Sequence, residues 1–111
     1  MEKLFSYGTL QLEKVQLDTF GRLLHGTSDT LRGYRIDRLE ITDEEVLASS
    51  RERYHPIAVP SGKDEDIVEG LVFEVSQEEI EHADIYEAED YMRVKEALAS
   101  GKVAWVYIKR T

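Results

Sequence analysis

Apolar and polar positions alternate through Lys3 to Tyr7, setting Leu4 and Ser6 on one side of a short strand and Phe5 and Tyr7 on the other; Gly8 ends it. The period then changes. Across Leu12 to Phe20, the residues Leu12, Val15, Thr19 and Phe20 fall near one helical face, and Gly21 is placed to stop the helix. Between Leu24 and Ile41 the turn residues Gly26, Ser28, Asp29 and Gly33 punctuate two strands, one around Leu31 and one over Tyr34 to Ile41. The charged stretch Thr42 to Arg53 reads as a short helix. His55 to Pro60 is apolar and carries two prolines, which suits an edge strand because proline cannot donate to a ladder. A polar loop, Ser61 to Asp66, follows.

Ile67 to Val75 predicts a strand with Leu71, Phe73 and Val75 on one face and Gly70, Val72 and Glu74 on the other, so apolar surface lies on both sides. Ser76-Gln77-Glu78-Glu79 matches the capping box and predicts a helix from Gln77 to about Tyr86, with Ile80, Ala83 and Tyr86 at helical spacing. Tyr91 to Ala99 and Lys102 to Arg110 flank Ser100-Gly101, a two-residue hairpin signal. Many strands with two or three dispersed short helices predict an α+β fold with a small mixed, barrel-like sheet. A doubly wound parallel sheet is the alternative.

The 111 residues predict a single domain over 1–111. No apolar stretch approaches the ~18 residues that cross a bilayer, so no membrane span is expected. Met-Glu-Lys leads straight into a strand pattern without a leader-like segment, which sets a cytoplasmic expectation. With no cysteine, disulfides, thiolate metal sites and a cysteine nucleophile are excluded. A net charge of -9 and a pI near 4.8 disfavour nucleic acid as a partner, because binding it rests on Lys and Arg neutralising phosphates.

Two stretches could carry chemistry. Amides near Gly8, Thr9 and Leu10 could converge on an anion, although by local pattern alone a glycine that only turns the chain is the stronger reading. "DIYEAEDYMRV", Asp84 to Val94, crowds carboxylates and tyrosines into one junction, and such runs are usually solvated. Position sets Glu87 apart: the negative end of a helix dipole there should raise its pKa towards the range of a general base. His25, His55 and His82 lack metal-ligand spacing and read as surface or locally bonded histidines. Asp64, Glu65, Asp66 and Glu69 lack the pattern of a calcium loop. No metal and no cofactor is expected.

Taken together, the two stretches resemble the gamma-glutamylcyclotransferase-like proteins, including the gamma-glutamylamine cyclotransferase-like and plant avirulence-induced-like proteins. The marks are Tyr7-Gly8-Thr9-Leu10 after an N-terminal strand, the later Tyr86-Glu87 pair, Tyr91 and Arg93, and the closing "AWVYI" at Ala104 to Ile108. "GYR" at Gly33, "HPIAVP" at His55 and "VEGLVFEVSQEEI" at Val68 extend the likeness along nearly the whole chain. Two departures stand out: Ala88 replaces the glycine that often follows the family's catalytic glutamate, and "HPIAVP" lacks a glycine that many relatives carry.

The resemblance implies an acyltransferase-type enzyme that releases 5-oxoproline from a small gamma-glutamyl substrate. In this reaction the substrate's own α-amine attacks its γ-carbonyl. By the motif, Glu87 is the general acid/base, with Glu89 its nearest rival. Tyr7, Gly8, Thr9, Leu10 and Tyr91 are then expected to bind substrate, and Arg93 to form an ion pair or lie on the strand surface. The alternative is a non-catalytic protein that binds a small metabolite on the same scaffold. Which gamma-glutamyl compound fits, and the oligomeric state, are open at this level.

Overall fold

A computed structural model describes residues 1–111. The strands are β1 (Glu2–Ser6), β2 (Gly26–Arg32), β3 (Tyr34–Glu40), β4 (Tyr54–Pro60), β5 (Ile67–Val75), β6 (Tyr91–Ala97) and β7 (Val103–Lys109). The helices are α1 (Glu13–Phe20), α2 (Glu44–Ser50) and α3 (Gln77–Glu87). One mixed sheet runs β2-β5-β1-β7-β4-β3, with β6 added beside β7, and it curls into a half-barrel in an α+β fold. The α+β expectation holds, and the doubly wound alternative does not.

Strand β7 organises the site. It pairs antiparallel with β6 from Val103 to Lys109 along one edge. Its other edge is shared in parallel by two strands in succession: β1 at Trp105 and Val106, then β4 at Ile108. A cleft opens where β1 ends and β4 takes over. Tyr7 fills the gap in the ladder, its hydroxyl donating to the Tyr107 carbonyl and accepting from the Ala58 amide at 3.0 Å. One phenol thus satisfies two backbone groups that the parted strands leave unpaired.

The expected edge position of the proline-bearing strand is overturned, because β4 lies between β3 and β7. Pro56 and Ala58 turn their peptide groups towards β7, since alternate residues of a strand face alternate neighbours. The missing amide of Pro56 therefore falls in the cleft, where no strand would have accepted from it. The hairpin also differs from the two-residue reading. Leu98 N donates to Lys102 O at 2.8 Å, leaving a three-residue turn, Ala99 to Gly101, with Gly101 at φ 93°.

Both faces of the sheet are covered. Leu4, Ile57, Phe73, Val75 and Tyr107 pack with Val15 of α1 and Ile80 and Ala83 of α3. On the other face Phe5, Leu31, Ala58, Val72, Val106 and Ile108 fill the inside of the curl. The capping box forms as the sequence predicts, with Ser76 Oγ accepting from Glu79 N at 3.1 Å and Glu79 accepting from Ser76 N at 2.8 Å. Helix α1 starts one residue later than expected and buries Gln16 with Val15, while Leu12 is 39% exposed.

Gly70 sits against the end of β1. A Cβ there would meet Ser6 O at 2.3 Å and Phe5 Cζ at 2.7 Å, so any side chain must push β1 away from β5. Gly70→Ala is expected to destabilise the protein by about 3 kcal/mol, the upper range for overpacking. Urea unfolding checks this, and an unchanged midpoint would contradict it.

Candidate functional site

Past β1 the chain crosses Tyr7 and Gly8 into a 3₁₀ turn, Thr9–Gln11. A Cβ on Gly8 would lie 3.3 Å from Pro56 Cγ, a tight contact, so the loop packs closely against β4 at this point. Gln11 N and Leu12 N donate back into the turn, at 3.1 Å to Gly8 O and 3.0 Å to Thr9 O. The amides of Thr9 and Leu10 come too early in the turn for such acceptors. The buried Gln16 anchors the loop from behind. Its amide group donates to Leu10 O at 3.0 Å and accepts from Leu24 N at 2.9 Å.

Glu87, the last residue of α3, faces this loop across the cleft. A narrow cavity of about 20 Å³, about the room one water needs, is lined by Tyr7, Gly8, Thr9, Leu10, Glu87 and Tyr91, with Phe5, Ser6, His55, Pro56 and Tyr107 around them. It adjoins a wider cleft of about 340 Å³ that shares His55, Glu87 and Tyr91 and includes Asp43, Glu89 and Asp90 in its wall. Tyr7, Gly8, Thr9, Leu10, Glu87 and Tyr91 therefore meet in one place. Glu89 lines only the wider cleft and is exposed, so Glu87 alone of the two carboxylates reaches both spaces.

Four tyrosines surround Glu87, and each directs its hydroxyl elsewhere. Tyr7 bonds the Tyr107 carbonyl; Tyr91 donates to Pro56 O at 2.9 Å; Tyr107 donates to Asp84 Oδ1 at 2.7 Å; Tyr86 bonds Thr9 Oγ1 at 2.7 Å. Burial raises the Tyr7 and Tyr91 phenols well above the ordinary range, and Tyr86 to about 12. They stay protonated and already committed.

The half-buried Glu87 carboxyl consequently has no hydrogen-bond partner to offset its loss of water, and burial pushes its pKa up to about 8. The expected rise is present, but burial rather than the helix dipole causes it. Arg93 is tied to Asp84 at 2.8 and 3.1 Å and lies 4.1 Å over Trp105, away from the cleft.

Across residues 4–111 the chain matches the family described as Gamma-glutamyl cyclotransferase, AIG2-like. It belongs to that family. No curated protein matches it in sequence. An uncharacterized protein of Pyrococcus horikoshii is 22% identical over 100% of this chain and 80% of its own, with a TM-score of 0.65. A protein of Arabidopsis thaliana is 23% identical over 97% of this chain and 61% of its own, with a TM-score of 0.70. A solved gamma-glutamyl cyclotransferase is 15% identical over 99% of this chain and 67% of its own, with a TM-score of 0.67. At these identities the structures share a fold.

The backbone at Ala88 has a physical consequence. Ala88 closes α3 at φ 56° and ψ -144°, a conformation that suits glycine and costs other residues on the order of 1–3 kcal/mol. Glycine at this position would free the peptide beside Glu87 from that strain. Ala88→Gly is expected to raise stability by about 1 kcal/mol, the strain relieved exceeding the entropy that glycine costs. Thermal unfolding checks it, and a lower Tm would contradict it.

The sequence did not single out His55, Ser50, Gln16 or Tyr107. His55 is 3% exposed and touches both spaces. Its reading as a locally bonded histidine fits, with contacts to Thr9 and Ser50, but its place beside Glu87 left no local pattern. A polar residue on the buried face of an amphipathic helix, as at Gln16, is the one local signal among them.

Proposed function

We propose that the protein is a gamma-glutamyl cyclotransferase that releases 5-oxoproline from a gamma-glutamyl amine, peptide or related amide, with Glu87 as general acid/base. The observation that carries this is a glutamate with no hydrogen-bond partner that shares one cavity with the Gly8 to Leu10 loop, where burial pushes its pKa up to about 8.

Glu87 takes a proton from the substrate's α-ammonium group, and the freed amine attacks the γ-carbonyl carbon. A C–N bond forms, the carbonyl oxygen gains negative charge, and the old amide C–N bond then breaks. Overall, two protons leave the α-nitrogen and two reach the departing amine, so one carboxyl group carries them in turn. A pKa near working pH suits a group that must both take and give. Because the ring closes within one molecule, much of the rate comes from folding the glutamyl chain in the wider cleft that Glu87 shares, where effective molarities of ~10⁵ to 10⁸ M are attainable. Thr9 and Leu10 amides are donors for the substrate's carboxylate or its developing oxyanion. Tyr7 and Tyr91 wall the cavity. Neither step calls for a metal or cofactor.

The test is 5-oxoproline release from a panel of gamma-glutamyl amines and dipeptides. Product from at least one member is expected. Binding without product from any of them would overturn the enzyme in favour of a metabolite-binding protein.

A further inference from the structure

We propose that His55 is a positioning residue that locks the Gly8 to Leu10 loop to the Glu87 end of α3. This rests on the cyclotransferase reading for its kinetic consequence, though not for its geometry.

Four elements meet at this imidazole. His55 Nδ1 lies 3.4 Å from Thr9 Oγ1, and its Nε2 lies 3.0 Å from Ser50 Oγ at the end of α2. Thr9 Oγ1 in turn bonds the Tyr86 hydroxyl at 2.7 Å, one residue before Glu87. The ring also stacks on Tyr86, with centroids 6.3 Å apart and planes 24° apart. Ser50, His55 and Thr9 are all buried.

One direction of donation satisfies every member. Tyr86 donates to Thr9, Thr9 donates to Nδ1, Nε2–H donates to Ser50, and Ser50 donates to Glu52 O at 3.4 Å. Reversed, Nδ1–H donates to Thr9, Thr9 to Tyr86, Tyr86 to Ser50 and Ser50 to Nε2, which closes the network as well. Either direction needs a neutral imidazole, and burial lowers the pKa of His55 in agreement. Through its Nδ1 side, His55 thus sets where Thr9 stands relative to Tyr86, and so the span from the loop amides to Glu87. Its Nε2 side ties β4 to α2 at Ser50, which holds the Tyr86 hydroxyl but not the loop.

The two sides can be separated. In His55→Asn the amide oxygen stands where Nδ1 was and can still accept from Thr9. In His55→Gln the terminal amide reaches towards Ser50 instead. With a substrate that turns over, His55→Gln is expected to lower kcat by about 10- to 100-fold, the scale of a small misplacement of reacting groups. His55→Asn is expected to recover most of that loss, with melting temperatures of the two variants within a few degrees. Equal kcat in both variants, or losses that simply follow melting temperature, would overturn the positioning role.

A second readout needs no substrate. The ¹³C titration midpoint of the Glu87 carboxyl and hydrogen exchange at the Thr9 amide are expected to change in His55→Gln and stay near wild type in His55→Asn. If wild type makes no 5-oxoproline, the cyclotransferase reading fails while these signals still decide the geometry. Identical signals in both variants would overturn it.

Discussion

Replacing Glu87 by glutamine is expected to lower 5-oxoproline release by about 10²- to 10⁴-fold, the usual contribution of general acid/base catalysis. Glutamine keeps the size of the side chain and can occupy the same wall of the cavity, but it cannot hold a proton and pass it on. The loss should therefore fall on kcat, with KM changed little. What remains reflects orientation of the folded glutamyl chain, which glutamine leaves in place. The same substitution at Glu89 should be mild, because that side chain lines only the wider cleft. Equal rates for wild type and Glu87→Gln would remove the acid/base role.

The same substitution should stabilise the protein above neutral pH. The folded pKa of Glu87 is raised to about 8 from an ordinary 4.5, so the folded state binds this proton more tightly than the unfolded chain does. Below pH 4.5 both states carry it and no penalty exists. As pH rises through the interval the unfolded chain ionises first, and folding stability falls by about 1.4 kcal/mol per unit until the folded group ionises as well. Partial exposure of Glu87 reduces the total, leaving a cost of several kcal/mol above pH 8.

Glu87→Gln escapes that cost. Its advantage over wild type should be near zero at pH 4.5 and reach its plateau at about pH 8. The lowered carboxyls of Asp18, Asp29, Asp37 and Glu79, and neutral His55, are common to both proteins and cancel in the difference. Urea unfolding at pH 5 and pH 8.5 measures it, and equal stability at pH 8.5 would contradict the buried-carboxyl account. A group kept ready for proton transfer at the expense of stability is the usual trade at such sites.

What the sequence disclosed follows the range of the forces involved. β5 and α3 were legible because period and the Ser76–Glu79 capping box are local, and both apolar faces of β5 announced a strand covered on two sides. β4 was not. Its prolines read as an edge, and only the division of one side of β7 between β1 and β4 shows why Pro56 loses no ladder bond. Spacing turns Leu12 inward, whereas Gln16 is the buried one, held there by Leu10 O and Leu24 N.

The site divides in the same way. Tyr7 to Leu10 and Glu87 came together through motif likeness, since no periodicity links residues that far apart. His55 contacts Thr9 across 46 residues, and the commitment of four tyrosine hydroxyls away from Glu87 is a three-dimensional fact with no trace in the pattern. The rise in the Glu87 pKa was anticipated for a weaker reason than the one that holds. A helix terminus shifts a pKa modestly, while burial without a partner shifts it by several units.

The most direct measurement is a ¹³C titration of the glutamate side-chain carboxyls, with Glu87→Gln assigning the signal. The account predicts one carboxyl with a midpoint near 8 that is absent from Glu87→Gln. Every glutamate titrating below about 5, as exposed carboxyls do, would contradict it.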